Sequence, residues 1–455
     1  MTINSFLFLK KNLGTRWFWV VIGMLVVASG LRVAAYGNIG LSIATNDTQS
    51  YIDSSQAPLF SREILTGRRL LTTNLFYKFF EPEEGYQITA NGSFDTTRRV
   101  FQHGFEKIVI VQVMLSILSW SILALTISGF IHNPAIKILS TIILILFAFT
   151  PQIADWDSVL MSESLTFSLF ALQLALLIKI AFAITESENV NISFLSGVWF
   201  VIYFLWTFLR DSNLVASAVT VGMISILLII PSYRKNKKLY IIVSALIAML
   251  GIGFYTSSHS TRSIIQINNI YNSDLLINPA WVNTLNKLGM PEPHSDEYKI
   301  WFPDHAGSTL IKFFAIHPSY PARKVIKDFA PAFTEFKQTY FKSPEQITIR
   351  NFMLPLGEAI HPENTTPFLL GVCILFALAV IAIQSGDNWA RVWAWILYWL
   401  FLTASFTIIA AILGDAWALS RHSAFSTMVY RLLMWVGLVV IIDKAVQTQK
   451  SEKMH

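Results

Sequence analysis

One cysteine, Cys373, stands in the 455 residues, and it lies inside an apolar run. Intramolecular disulfides are therefore excluded, and thiols say nothing of the redox compartment. Charge is scarce as well. Asp, Glu, Lys and Arg make up 14% of the chain against 54% hydrophobic residues, and the mean hydropathy is +0.52. That balance excludes an ordinary soluble domain and implies a polytopic membrane protein. Nowhere is there a nucleotide-binding glycine loop, a Walker motif or a nucleophile elbow. His294, His305, His317 and His361 are scattered without metal-ligand spacing, so no zinc site is read. Internal repeats and low-complexity tracts are missing too. The net charge of +6 needs no nucleic acid to explain it, because the basic residues collect at helix ends.

Apolar runs long enough to span a bilayer occur near 17–36, 108–131, 136–152, 158–184, 193–209, 213–231, 239–256, 366–384, 389–413 and 424–443. The expectation is an all-α integral membrane protein of about ten transmembrane helices, with 136–152 the weakest for length. Lys10, Lys11 and Arg16 precede the first run, which lacks a small-residue cleavage site and reads as a retained anchor. With the N-terminus inside, the inner connections hold Lys137, then Arg234, Lys235, Lys237 and Lys238, then Arg391, then Lys444, Lys450 and Lys453. The short outer connections hold only Arg210 and Arg421, so the positive-inside rule puts both termini in the cytoplasm. Two long loops, 37–107 and 257–365, then lie outside, and the unusual polar residues collect on that face. Three regions follow: a membrane module over 1–256, an outer subdomain over 257–365 and the last helices with a short tail over 366–455. Prolines punctuate the second loop, Pro344 among them, and amphipathic patterns run over Ser263–Leu288 and Ser308–Phe341.

The most informative stretch is Asp155-Trp156-Asp157-Ser158-Val159-Leu160-Met161-Ser162-Glu163, which enters an apolar run reaching Ile184. On a continuous helix Glu163 lies about 9 Å deeper than Asp157. A carboxylate there costs about 3 kcal/mol or more, and marks either a site or a pairing with a neighbouring helix. The first outer loop opens with Asn46-Asp47-Thr48-Gln49-Ser50-Tyr51-Ile52-Asp53, where Asp47 is either a helix N-cap or a functional carboxylate. Beyond it, Ile64 to Phe80 has apolar positions at helical spacing around Arg68 and Arg69, the pattern of interfacial amphipathic helices whose arginines meet lipid phosphates or water. Arg210, in the minimal turn Phe208-Leu209-Arg210-Asp211, snorkels, pairs with Asp211 or faces a phosphate. Arg421, followed by His422, again places a cation before a membrane helix.

Taken in order, these features resemble the GT-C class of polytopic glycosyltransferases, which includes protein O-mannosyltransferases and aminoarabinose transferases. The residues that carry the resemblance are Asp47 with Tyr51, the segment Gly67-Arg68-Arg69 to Phe80, Ser162-Glu163-Ser164-Leu165, Arg210 at a helix end and Arg421 before the last helix. Residues 15–215 match well and the rest loosely. Leu71-Thr72-Thr73 stands where the family has a proline, and Arg421-His422 replaces its Arg-Tyr, which leaves subfamily and acceptor open.

The resemblance implies a polyprenyl-phosphate-sugar donor, a lipid, glycan or protein acceptor, and a place in the bacterial cytoplasmic (inner) membrane facing the cell envelope. Asp47 would be the general base of an inverting transfer, with Tyr51, Asp157, Glu163, Arg210, Arg421 and His422 binding the donor and the arginines taking the charge of the departing phosphate. No cofactor is implied with certainty; Asp47, Asp155 and Asp157 offer oxygens to a divalent cation. The alternative is a transporter or flippase for a lipid-linked substrate, with Glu163 as a proton relay. Against it stand the missing repeat symmetry and the one-sided distribution of polar groups.

Overall fold

The computed structural model describes residues 14–88, 91–92, 99–186, 191–260, 262–338, 340 and 348–452. Lys10, Lys11, Lys453, Phe341 and Pro344 lie outside the described residues. Each of the ten apolar runs holds a helix, because in hydrocarbon each backbone polar group must be satisfied within its own segment. The first is Thr15–Ala34 (α1). The loop after it contributes Thr48–Ser55 (α2), Glu63–Thr66 (α3) and Leu71–Phe79 (α4). Next come Glu106–Phe130 (α5), Pro134–Phe149 (α6), Pro151–Ala154 (α7), Glu163–Glu186 (α8), Ile192–Thr207 (α9) and Asp211–Leu227 (α10). Pro231–Arg234 (α11) is a turn before Lys237–Ser258 (α12). The second loop holds Ile264–Ile270 (α13), Pro279–Lys287 (α14), Asp296–Ile316 (α15), Ser319–Phe329 (α16) and Thr348–Ile360 (α17). Thr366–Ser385 (α18), Asn388–Gly414 (α19) and Leu419–Glu452 (α20) complete the chain.

Seven of these helices are long and apolar enough to cross a membrane: α1, α5, α8, α12, α18, α19 and α20. That establishes a multi-pass membrane protein, with fewer full spans than the ten expected. An eighth would be the pair α6 and α7 with the 3-10 turn that follows, bent by 44°. The bend has a local cause. Thr150 precedes Pro151 and is forced into an extended conformation, φ −82 and ψ 161. The runs at α9 and α10 yield only 16 and 17 helical residues.

The expectation of one continuous helix from Ser158 to Ile184 is corrected here. Asp155–Ser158 forms a 3-10 turn, Val159 is extended, and α8 begins at Glu163. The backbone of the break is used for pairing: Ile43 N donates to Ser158 O at 2.8 Å, Leu160 N to Ile43 O at 3.0 Å, and Thr48 Oγ1 to Leu160 O at 3.2 Å. These bonds stitch the loop after α1 onto the entrance of α8 and carry Asp47 to Glu163.

The segment from α2 to α4 is docked, not free. Thr72 N donates to Phe208 O at 3.1 Å and Thr72 Oγ1 to Leu205 O at 2.7 Å, while Phe60 and Phe79 remain outward and exposed. Arg68 points out to solvent as well, whereas Arg69 turns inward.

The second loop, 257–365, contributes to two cores. Residues from α13 to α16 enclose a small core of their own around Tyr271, Leu285, Phe302 and Phe313. Ala332, Phe333, Phe336 and Ile360 belong instead to the main core. Gly357 is the crossing point of α17 over the α6–α7 bend; a Cβ there would fall 1.7 Å from Gln152 Oε1. Asp155 fastens the same region from below, accepting from Arg350 at 2.6 and 3.1 Å, from Tyr36 at 2.5 Å and from Gln338 at 3.2 Å.

Candidate active site

Glu163 is the first residue of α8 and is buried, at the helix end whose free N–H groups favour a negative charge. Its Oε1 accepts from Arg210 Nη1 at 3.2 Å and lies 3.9 Å from Arg421 Nε. Its Oε2 has no hydrogen-bond partner among the described residues. Arg210 sits at the N-cap of α10 and turns to Glu163, while Asp211 is held by Arg262 at 3.3 Å through both oxygens.

Asp47 lies at the N-terminus of α2, yet its side chain makes no capping bond. Its Oδ1 accepts from Arg69 Nη2 at 2.9 Å and its Oδ2 from Arg421 Nη1 at 2.8 Å. Burial by itself would raise the Asp47 carboxyl; the Arg421 and Arg69 guanidiniums outweigh it and hold the group below the usual carboxylate range. Arg69 is fixed on three sides. Besides Asp47 it donates from Nε to Ser50 Oγ at 2.7 Å and lies over the Tyr51 ring at 4.1 Å from its centroid. Tyr51 in turn stacks on Tyr77 at 5.4 Å and donates to Ser162 Oγ at 3.4 Å. Arg421 also donates from Nη1 to Tyr340 Oη at 3.0 Å, with Met161 Sδ at 3.8 Å. Burial keeps the Tyr340 phenol above its ordinary pKa against the opposing pull of Arg421, so it stays neutral.

Asp47, Tyr51, Glu163, Arg210 and Arg421 therefore meet in one cluster, drawn from loops and helix ends up to 374 residues apart. His422 turns the other way, with Nε2 3.3 Å from Asp415 Oδ2. Asp157 is outside the cluster and fully engaged. It is paired with the buried Arg32 and accepts from Ser164 Oγ at 2.7 Å. Asp47, Asp155 and Asp157 thus do not converge on a cation, and among the described residues no three His, Cys, Asp or Glu side chains gather as a metal site. Two members are not assigned to the site from the sequence. Arg69 reads with Arg68 as part of an interfacial segment, and Tyr340 as one residue of the amphipathic stretch Ser308–Phe341.

No protein-family model and no curated protein matches the sequence. Solved structures similar to the chain include the archaeal oligosaccharyltransferase AglB from Archaeoglobus fulgidus in complex with an inhibitory peptide and a dolichol-phosphate, at 12% identity and TM-score 0.47, covering 96% of this chain and 52% of that one. The apo form of the Archaeoglobus fulgidus oligosaccharyltransferase is similar at 10% identity and TM-score 0.43, covering 95% and 52%. The chain spans about half the length of those proteins.

Proposed function

We propose that the chain is a membrane glycosyltransferase, moving a sugar from a polyprenyl-phosphate donor to an acceptor on the extracytoplasmic face. The observation that carries the reading is the composition of the cluster. Three guanidiniums, Arg69, Arg210 and Arg421, face two carboxylates, Asp47 and Glu163, leaving one positive charge in excess. A sugar-phosphate diester carries one negative charge and neutralises it. As the acceptor oxygen or nitrogen bonds to the anomeric carbon, the bond from that carbon to the phosphate oxygen breaks and its electron pair leaves with the phosphate. The acceptor proton passes to Asp47. The phosphate gains a charge as Asp47 loses one, so the site is neutral before and after transfer, the arrangement that favours developing charge in a preorganised setting. Attack by the acceptor itself, with no covalent sugar on the protein, gives inversion, by the logic of single-displacement glycosidases. Exposed Phe60 and Phe79, on the same stretch of chain as Arg69, suit an interfacial position.

Arg210→Ala is expected to weaken use of the donor by about 2–4 kcal/mol in kcat/KM, with partial rescue by Arg210→Lys, which cannot make a bidentate contact. Steady-state transfer from a synthetic polyprenyl-phosphate-sugar to membrane acceptors measures it. An unchanged kcat/KM would remove Arg210 from phosphate binding.

The proposed orientation has its own test. In a Cys373→Ser background, Gln87→Cys should react with an impermeant thiol reagent applied from outside, and Lys237→Cys should not; both positions are exposed. The reverse labelling pattern would place the cluster on the cytoplasmic face and end the reading above.

A further inference from the structure

Each oxygen of Asp47 accepts one guanidinium N–H, so a proton arriving from an acceptor meets a carboxylate whose basicity two adjacent cations already reduce. The two arginines that occupy them are held differently. Arg69 is bound to Asp47, to Ser50 and to the face of Tyr51 at once. Arg421 is shared. Its Nη1 serves Asp47 and Tyr340, its buried Nε has no hydrogen-bond partner among the described residues, and Glu163 Oε1 stands 3.9 Å from that same Nε. Glu163 Oε2, also buried, is open as well. Arg421 therefore has a second carboxylate, Glu163, within a short side-chain movement, whereas among the described residues the ion pair of Arg69 is with Asp47 alone.

We propose that Arg421 masks the catalytic base in the resting protein, and that the phosphate of the lipid donor draws it off Asp47 Oδ2 toward Glu163, freeing that oxygen for the acceptor proton. The inference rests on the reading of the cluster as a phosphate-dependent transferase site. It orders the reaction: donor first, then a competent base. The charged and titratable groups facing Asp47 are Arg69, Arg421, Tyr51 on its own helix and Tyr340, with Arg210 acting through Glu163. Of these, among the described residues, Arg421 is the one that both touches Asp47 and stands within 3.9 Å of a second carboxylate, Glu163. The resting carboxylate, held below its usual range by Arg421 and Arg69, is a weak base; losing Arg421 moves it upward.

The test uses the full-length protein in detergent, with farnesyl phosphate as the probe. A hydrophobic carbodiimide reacts with protonated carboxyls, and peptide mass spectrometry reads the extent at Asp47 across a pH series. Steric shielding by the probe slows labelling at every pH but leaves the midpoint in place, so the midpoint is the readout. In the parent the midpoint should rise when farnesyl phosphate binds. Arg421→Gln without ligand should already show the ligand-bound midpoint of the parent, and adding probe should not raise it further. Arg69→Gln should start higher than the parent yet still respond to the probe. An Arg421→Gln midpoint equal to the ligand-free parent, or one that climbs with the probe as in the parent, overturns the proposal, the latter because the anion's own field then suffices. If farnesyl phosphate binds the parent, seen as a raised unfolding temperature, and the midpoint stays fixed, this inference falls and the phosphate site survives. If the probe does not bind at all, the proposed function itself falls, and the masking role with it.

Discussion

Asparagine at position 47 is expected to reduce sugar transfer by roughly two to four orders of magnitude while the protein folds normally. The amide keeps the shape of the carboxylate and an oxygen for Arg69 or Arg421, but it cannot take a proton from the acceptor. The structure sharpens this comparison. A side chain acting as a helix cap would tolerate asparagine, and the Asp47 side chain makes no cap bond at all. What the substitution removes from stability is two ion pairs to a carboxylate that is 32% exposed, each worth about 1 kcal/mol or less at such a site. Transfer rate and thermal unfolding, measured on the same preparation, separate chemistry from folding. A transfer rate close to the parent's would eliminate Asp47 as the base and leave Glu163 as the remaining carboxylate of the cluster.

How far the sequence leads is visible at particular residues. The ten apolar runs hold helices because hydrophobicity over about 20 residues is a property of the local chain, readable without knowing any neighbour. The break at Val159 is a different matter. Asp155–Ser158 has the composition of a helix entrance, and only the backbone pairing with Ile43, more than a hundred positions away, pulls it out of α8. The meeting of Arg210, Glu163 and Arg421 was anticipated from their shared side of the membrane, because charge at helix ends on one face has few other places to go. The partner of a buried carboxylate was not. Asp155 and Asp157 stand two residues apart with the same composition around them, and their cations, Arg350 and Arg32, come from opposite ends of the chain. Arg68 and Arg69 are equally indistinct in sequence; the start of α4 decides which of them turns inward.

Asp157 is where this matters most for experiment, since its place in the sequence pattern suggests donor binding and its surroundings assign it to the scaffold. Its carboxylate is 4% exposed and pairs with Arg32, which is 1% exposed and whose other bonds go to Ser116 Oγ at 2.8 Å and Ala148 O at 3.2 Å. Asp157→Ala would leave that guanidinium buried without a counter-charge, and the expected loss of stability is about 3–5 kcal/mol. Replacing both partners with apolar residues, as in Arg32→Leu with Asp157→Leu, is expected to recover most of it, because the desolvation cost disappears together with the pair. One link to the site remains: Asp157 accepts from Ser164, the residue after Glu163, so the double variant should show a modest change in transfer and not an abolition. Thermal unfolding of the single and double variants, alongside their transfer rates, decides between the two roles. A double variant that unfolds at the parent's temperature yet transfers sugar orders of magnitude more slowly would return Asp157 to the chemistry. A double variant that regains stability and activity together makes the Arg32–Asp157 pair the brace that holds the entrance of α8, and with it Glu163, against the end of α1.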